Sequence, residues 1–342
     1  MNNSPILYRN HSIEALRFFF MLVICCWHNY ASSGVFRHGY LAVEFFFILS
    51  GYLLYKSFSK QNSLSTIDYT LKKIKRFAPE YLIVMIFLYM RHFFIPCILG
   101  KREFSVPLVL KMFPEMVFLQ DSGLYYGGMN FPLWYLSILL VGGGLLYALL
   151  KYDQRLALNI VFPWLCLLGY VYIFSNSPDG SIQVWGTDGA SVMKLLRGVA
   201  GMSLGVLLAY FFTRKQEELK KHCIWLSIVG GVCLVIYLFV ILAKPYFDRY
   251  ALLFIPPIIL VCFMDNSYFN RLLSSRMWSW LGGLTFEMLL LHGYIIIPAH
   301  QSIMERLEVP MWTDYVIYVA LLLFISYVFK FLYEKLKVRF HL

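Results

Sequence analysis

The chain of 342 residues is 60% hydrophobic and 18% aromatic, and only 14% of its residues are charged. Soluble domains carry roughly 25% charged residues, so this composition excludes an ordinary soluble domain, a disordered chain, a collagen-like fibre and a coiled coil. The formal net charge of +11 is compatible with nucleic acid or with a membrane as partner. The composition as a whole predicts a polytopic membrane protein.

Ten segments are long and apolar enough to cross a bilayer as helices, which takes about 20 residues each. They lie near residues 12–31, 39–58, 79–99, 131–150, 156–175, 192–213, 223–243, 249–264, 278–298 and 312–333. Pro256 and Pro257 interrupt the eighth segment and predict a kink there. Residues 104–120 have the pattern of a helix lying at the membrane interface. We therefore predict an all-α bundle of about ten transmembrane helices, with residues 1–342 forming one membrane-embedded domain.

The positions of the cations predict the topology. Ten crossings place both termini on one side, and 19 Lys and Arg residues then fall on that side against eight on the other. Because Lys and Arg accumulate in cytoplasmic loops, both termini are predicted to be cytoplasmic. Topology then explains most of the net charge, and no nucleic-acid partner is expected.

Charged side chains inside the predicted spans indicate a site, because such residues are costly in lipid and usually face the bundle interior or a water-filled cavity. A helix–helix hydrogen bond or a snorkelling side chain explains any single one equally well. The candidates within the predicted spans are Glu14, Arg17, His28, Glu44, Lys194, Arg197, Glu287 and His292.

The first span carries a cation and a titratable base on one face. Arg17 and His28 are eleven residues apart, which is almost three helical turns and an axial distance of about 16 Å. Glu14 precedes Arg17 by three residues and can pair with it. Glu44, on the second span, lies at a depth similar to that of His28. A carboxylate there would fix the imidazole tautomer, so a His28–Glu44 dyad is predicted. The alternatives are that Glu44 binds a ligand or pairs with His292.

Two further features have both a functional and a structural interpretation. Glu287 and His292 lie on the ninth span, on the same side of the membrane as His28 and Glu44, but their spacing lacks the i,i+4 pattern of zinc motifs, so no metal is predicted. Lys73 and Arg76 lie in a predicted inner loop before the third span. They are three residues apart and could bind phosphates, or could serve topology alone.

These residues together resemble the acyltransferase-3 family of polytopic membrane acyltransferases. The resemblance rests on five motifs in order along nearly the whole chain: Arg17-x10-His28; Val43-Glu44-Phe45-Phe46-Phe47-Ile48-Leu49-Ser50-Gly51; Lys73-x-x-Arg76-x-x-Pro79-x-Tyr81; Leu133-Trp134-Tyr135-Leu136-Ser137; and Thr285-Phe286 followed by Leu291-His292.

The resemblance implies an O-acetyltransferase-like enzyme of the bacterial cytoplasmic (inner) membrane. It would move an acyl group, acetyl above all, from cytoplasmic acyl-CoA to a hydroxyl of an acceptor at the outer face, commonly a sugar of a cell-surface polysaccharide. His28 matches the family's catalytic histidine and Arg17 its partner in the motif. Lys73 and Arg76 match the basic loop implicated in binding acyl-CoA.

The chain departs from the family pattern at three places. Glu44 stands where the family often has Asp, which keeps the carboxylate. Lys73 stands where the family often has a second Arg, and so lacks the bidentate phosphate fork. Thr285-Phe286 stands where the family often has Ser-Tyr.

The physical interpretation agrees with the resemblance. His28, oriented by Glu44, would remove the proton from the acceptor hydroxyl. Trp134 begins the fourth span, where it could stack on a sugar or belong to an interfacial aromatic belt; Glu287 and His292 are further candidates for binding the acceptor. The expected partners are membrane lipid, acyl-CoA and a glycan or lipid-linked sugar, and the oligomeric state is open, a homodimer included. The rival class is a transporter or flippase with a His/Glu proton relay, which predicts pseudo-symmetric broken helices that the sequence lacks.

Overall fold

The computed structural model describes residues 10–30, 34–60, 64–177, 179–183, 190–242, 247–307 and 309–340. Across these ranges the regular structure is helical throughout. The helices are α1 (His11–Tyr30), α2 (Gly39–Lys60), α3 (Thr66–Ile98), α4 (Val106–Met116), α5 (Phe131–Tyr152), α6 (Gln154–Ser175), α7 (Ala190–Lys221), α8 (Cys223–Leu242), α9 (Asp248–Cys262), α10 (Tyr268–Leu272), α11 (Arg276–Met304) and α12 (Met311–Arg339).

The predicted fold class is confirmed: within the described ranges, nine of these helices are long and apolar enough to cross a membrane. The eighth predicted span is the exception. It corresponds to α9, which has 15 residues and contains Pro256 and Pro257. At 1.5 Å per residue α9 is about 22 Å long, shorter than a hydrocarbon core of about 30 Å. Arg9 and Lys244, which entered the charge balance, lie outside the described residues.

The basic segment before the third predicted span is helical rather than a loop. α3 begins at Thr66, where the Ser65 hydroxyl accepts a hydrogen bond from the Asp68 amide at 3.1 Å. This N-cap starts the helix thirteen residues before Pro79, which lies inside α3. The helix of the third predicted span therefore begins at Thr66 and not near residue 79.

α7 is the central helix and packs against α2, α6 and α5. Its closest contact is with α2, and each of the two helices has a glycine at this contact. A Cβ atom on Gly51 would overlap the carbonyl of Met202, and one on Gly205 would overlap the carbonyl of Ile48. The two backbones therefore touch at both points, as small residues allow between membrane helices. Gly51 and Gly205 are thus the points of closest packing between α2 and α7.

The two ends of the bundle are defined by α1. We name the end at which α1 begins the proximal end and the end at which it finishes, beyond His28, the distal end. α11 runs from the proximal end towards the distal end, with a π-helical turn over His292–Ile296. Such turns often occur at functional sites, because they redirect side chains out of the regular helical register.

Candidate active site

A cavity of about 120 Å³ lies between α1, α2, α5 and α7 towards the distal end. Its wall is mostly apolar and aromatic, with a few polar groups that converge on the same space. This is the usual make-up of a small-molecule site. The polar lining includes His28, Asp121, Tyr135, Lys194 and Arg197.

His28 contacts His292 across the interface of α1 and α11. Nδ1 of His28 lies 2.9 Å from Nε2 of His292, and the two rings stack with centroids 5.0 Å apart and planes 15° apart. Phe131 packs edge-on against His28 at 4.9 Å. The ring of His28 is therefore held in one orientation.

The hydrogen bonds of His292 determine the tautomers of both rings. Nδ1 of His292 lies 2.8 Å from the carbonyl of Met288 and 3.1 Å from that of Leu289. Carbonyl oxygens only accept, so this nitrogen carries a proton, and Nε2 of the neutral ring is then an acceptor. Nδ1 of His28 consequently donates to His292. The lone pair of His28 is left on Nε2, which makes no hydrogen bond within the described part of the chain.

Glu44 does not pair with His28, so the predicted dyad is corrected. The Glu44 carboxylate is fully buried and accepts from Nε of Arg197 and, at 2.8 Å, from the hydroxyl of Tyr170. Arg197 also donates to the carbonyl of Tyr40 at 3.1 Å. A buried carboxylate needs a cation and hydrogen bonds to offset its lost hydration. Arg197 satisfies that need, and His292 takes the place next to His28.

Lys194 and Arg197 bring two cations to the cavity through one face of α7. Lys194 pairs with Asp121 at 2.8 Å, and both cations lie 5.7 Å from the ring centre of Trp134. Trp134 therefore lines the cavity, and two cations lie close to its ring. Because each cation has a carboxylate partner, the site offers N–H donors with little net charge.

Arg17 lies nearer the proximal end. It donates to Glu14 at 2.9 Å, as predicted, and to the hydroxyl of Thr285 at 3.1 Å. The Arg17 side chain is 29% exposed, so part of the guanidinium remains accessible. The contact with Thr285 joins the first and last motifs of the resemblance in one place.

Glu287 lies away from the cavity. It pairs with Lys330 of α12 at 2.9 Å, and Lys330 also donates to the carbonyl of Gly283. Glu287 is 2% exposed and does not line the cavity. Its predicted role in acceptor binding therefore has no support in the geometry, because the cation of α12 already neutralises it.

Lys73 and Arg76 occupy one side of α3, outside the cavity. Nζ of Lys73 lies 5.7 Å from the ring centre of Tyr69, and the Arg76 guanidinium lies 5.7 Å from that of Phe77. Arg76 is exposed and Lys73 is half-buried. The two cations are separate from the distal site, as a binding site for a remote phosphate group requires.

The segment that joins α4 to α5 supplies Asp121 from a tightly folded turn. Phe118 and Asp121 both have positive φ, at 60° and 50°. Glu115 supports this turn by accepting from the Met129 amide at 2.7 Å and from the Tyr89 hydroxyl at 2.8 Å. Burial raises the pKa of Glu115 above its ordinary value, and the two hydrogen bonds oppose that rise.

Comparison with known proteins gives two matches. A family model described as an acyltransferase domain matches residues 10–331. The chain is also 25% identical over 329 residues to the peptidoglycan O-acetyltransferase OatA of Listeria monocytogenes serovar 1/2a, covering 88% of this chain. The alignment covers 51% of that protein, so the chain spans about half the length of the curated relative it matches. No solved structure matches the chain.

The family match covers almost the whole chain, and the relative it resembles carries out O-acetylation. These matches favour the predicted acyltransferase over the alternative class, a transporter or flippase. The apolar helices make the chain an integral, multi-pass membrane protein. The chain therefore belongs to the acyltransferase-3 family.

Proposed function

We propose that the protein transfers an acetyl group from cytoplasmic acyl-CoA to a hydroxyl of a cell-surface polysaccharide, with His28 as the general base. The observation that carries the proposal is the hydrogen-bond chain from the Met288 carbonyl through His292 to His28. It leaves the Nε2 lone pair of His28 unpaired in the described structure, on a residue that lines a cavity with Arg197 and Lys194.

The reaction is a single acyl transfer. Nε2 of His28 takes the proton from the acceptor hydroxyl as its oxygen attacks the thioester carbonyl carbon. The tetrahedral intermediate then collapses, the carbon–sulfur bond breaks, and the CoA thiolate takes the proton from the imidazolium. The products are an O-acyl ester and free CoA, and His28 returns to its starting state.

The cations of α7 have a role in the same step. The tetrahedral intermediate carries an oxyanion, and N–H donors that are fixed in advance stabilise such charge most strongly in a water-poor site. Glu44 and the Tyr40 carbonyl hold Arg197 in place, and Asp121 holds Lys194. We assign Arg197 and Lys194 as the donors to the oxyanion.

The donor would reach His28 from the proximal end. The eleven residues from Arg17 to His28 extend about 16 Å along α1, and Tyr135 and Phe46 line the cavity on that side. Arg17, Lys73 and Arg76 are the cations that would bind the phosphates of CoA, while the acceptor would enter at the distal end, which we assign to the outer face of the bacterial inner membrane. His28, Lys194 and Arg197 all line this one cavity, so the reacting groups of donor and acceptor would meet there.

The test is acyl transfer by protein purified into lipid nanodiscs, measured as thiol release from acetyl-CoA. His28→Ala should abolish transfer and leave acetyl-CoA binding nearly unchanged. His222→Ala is the matched control, because His222 is an exposed histidine in the turn between α7 and α8. Turnover by His28→Ala at the control rate would remove His28 as the base.

The acceptor is tested in cells. Surface polysaccharide from strains with and without the gene is compared by mass spectrometry, and acetylation adds about 42 Da per modified hydroxyl. The increment should be absent from polysaccharide of the deletion strain and should return with the wild-type gene but not with His28→Ala. Unchanged glycan masses in all strains would contradict a polysaccharide acceptor while leaving the acyltransferase activity to the assay above.

A further inference from the structure

A second cavity lies on the surface of the bundle, in a groove between α6, α7 and α9. Its volume is about 570 Å³, several times that of the site at His28. Leu167 and Phe174 of α6, Leu204 of α7 and Leu253 of α9 form much of its wall. Such a groove on a membrane helix bundle faces lipid, so the molecule most available to fill it is a lipid chain.

The length of the groove along α6 matches the thickness of one leaflet of the bilayer. Its lining on α6 extends from Ser175, at the distal end, back to Cys166. Nine residues of helix cover about 13.5 Å, and half of a hydrocarbon core of about 30 Å is about 15 Å. The groove therefore matches one acyl chain of the leaflet at the distal end.

A cation stands at the distal mouth of the groove. Arg249 lines it, is exposed to solvent, and lies with its guanidinium 5.7 Å from the ring centre of Phe174. No carboxylate of the described residues pairs with it. The neighbouring Asp248 is buried, and it accepts instead from the Tyr40 hydroxyl at 2.8 Å and from the Ile182 amide at 3.0 Å.

The chemistry of this mouth selects a phosphate. A guanidinium presents parallel N–H donors that match phosphate oxygens, and it keeps its charge at any physiological pH. Arg249 differs in this respect from Arg197, which forms an ion pair with Glu44. An apolar groove one leaflet deep, with an exposed cation at its head-group end that has no carboxylate partner among the described residues, is complementary to an anionic lipid.

We propose that this groove binds one chain of an anionic phospholipid of the distal leaflet, with the lipid phosphate on Arg249. The lipid would also pack against Tyr170, which lines the groove and donates to Glu44. Glu44 in turn holds Arg197 at the edge of the other cavity. The bound chain thus supports the outer side of the hydrogen-bond chain that positions Arg197.

The experiment is native mass spectrometry of the full-length protein, titrated separately with phosphatidylglycerol and phosphatidylcholine. The wild type should retain one phosphatidylglycerol more tightly than phosphatidylcholine. Arg249→Gln should weaken phosphatidylglycerol about fivefold, the effect of one basic contact at a membrane surface, and leave phosphatidylcholine unchanged. Arg249→Lys should lie between the two, and Leu253→Trp, which fills the groove, should weaken both lipids.

Arg37→Gln is the matched control, since Arg37 is an exposed arginine outside the groove. Equal retention of the two lipids by the wild type, or an equal loss in Arg37→Gln and Arg249→Gln, would overturn the proposal. Displacement of phosphatidylglycerol by a polyprenyl phosphate at lower concentration would overturn it in favour of a lipid-linked acceptor. If Arg249→Gln does not fold, the comparison of Arg249→Lys with Leu253→Trp still separates the head-group contact from the chain contact.

Discussion

His292 should control the catalytic competence of His28 without touching either substrate. The change that isolates this role is His292→Phe, which keeps an aromatic ring in the stack and removes both nitrogens. His28 then loses the acceptor of its Nδ1 proton, the 2.9 Å contact. As His28 gains a proton from the acceptor hydroxyl, this contact becomes a charge-assisted hydrogen bond worth about 1.5–3 kcal/mol.

That energy acts on the transition state and little on the bound substrates, so it should appear in kcat. A loss of 1.5–3 kcal/mol corresponds to a decrease of roughly 10- to 150-fold in kcat, with KM for acetyl-CoA within about twofold of the wild type. Thiol release in nanodiscs measures both constants. His92→Phe, a half-buried histidine of α3, controls for the substitution itself.

The refuting result is equally specific. A His292→Phe enzyme with kcat within about threefold of the His92→Phe control would show that His28 does not depend on this hydrogen bond. Adding His292→Phe to His28→Ala should cost almost nothing, because the two residues act as one unit. A further large loss in that double variant would give His292 a function of its own, such as the acceptor contact that the sequence suggested.

Three other changes test the remaining parts of the site. Glu44→Gln and Arg197→Lys should each lower kcat roughly 10- to 100-fold, because each removes part of the stabilisation of the oxyanion. The double variant should be little worse than either single variant, and multiplicative losses in kcat would show that the two residues act independently. Lys73→Ala combined with Arg76→Ala should raise KM for acetyl-CoA about three- to tenfold, and the difference in KM from the wild type should shrink as the salt concentration rises. An unchanged KM would show that the two residues serve membrane topology and do not bind CoA. Burial raises the pKa of Glu115 in the folded protein, so the folded state binds this proton more tightly than the unfolded chain does. The wild type should therefore gain thermal stability relative to Glu115→Gln as the pH falls from 7 towards the ordinary carboxylate pKa of about 4.3. A constant difference in Tm over that range would contradict this.

Hydropathy predicts most of the fold because a bilayer demands apolar helices of a set length. It fails at α9, where the run of apolar residues is right but the helix has only 15 residues. It also misplaces the start of α3, because a hydropathy window does not detect the Ser65 cap. Local hydrogen bonding, and not apolarity, determined the boundary there.

The sequence identified His28, Glu44, Arg197 and His292 as charged or titratable residues within the spans, but it did not predict which of these four side chains lie next to each other. Listing intramembrane charges found His28, His292 and Arg197, but depth along a helix does not reveal which neighbour lies beside it. Glu44 had two candidates at similar depth, and its need for a cation, which could have been argued from burial alone, favours Arg197. Asp121 gave no signal, because a backbone turn with positive φ brings it to Lys194 from outside any span.

The glycine contacts between α2 and α7 have a consequence for how substrates gain access. Since the backbones touch at Gly51 and Gly205, neither helix can slide along the other without a steric clash. Glu44 lies on α2 and Arg197 on α7, so the wall of the cavity that these two helices form is rigid. We expect the movements that admit an acceptor and release CoA to come from the opposite wall, where α11 has its π-helical turn at His292. A crosslink between α2 and α7 should then leave turnover intact, whereas one between α1 and α11 should arrest it.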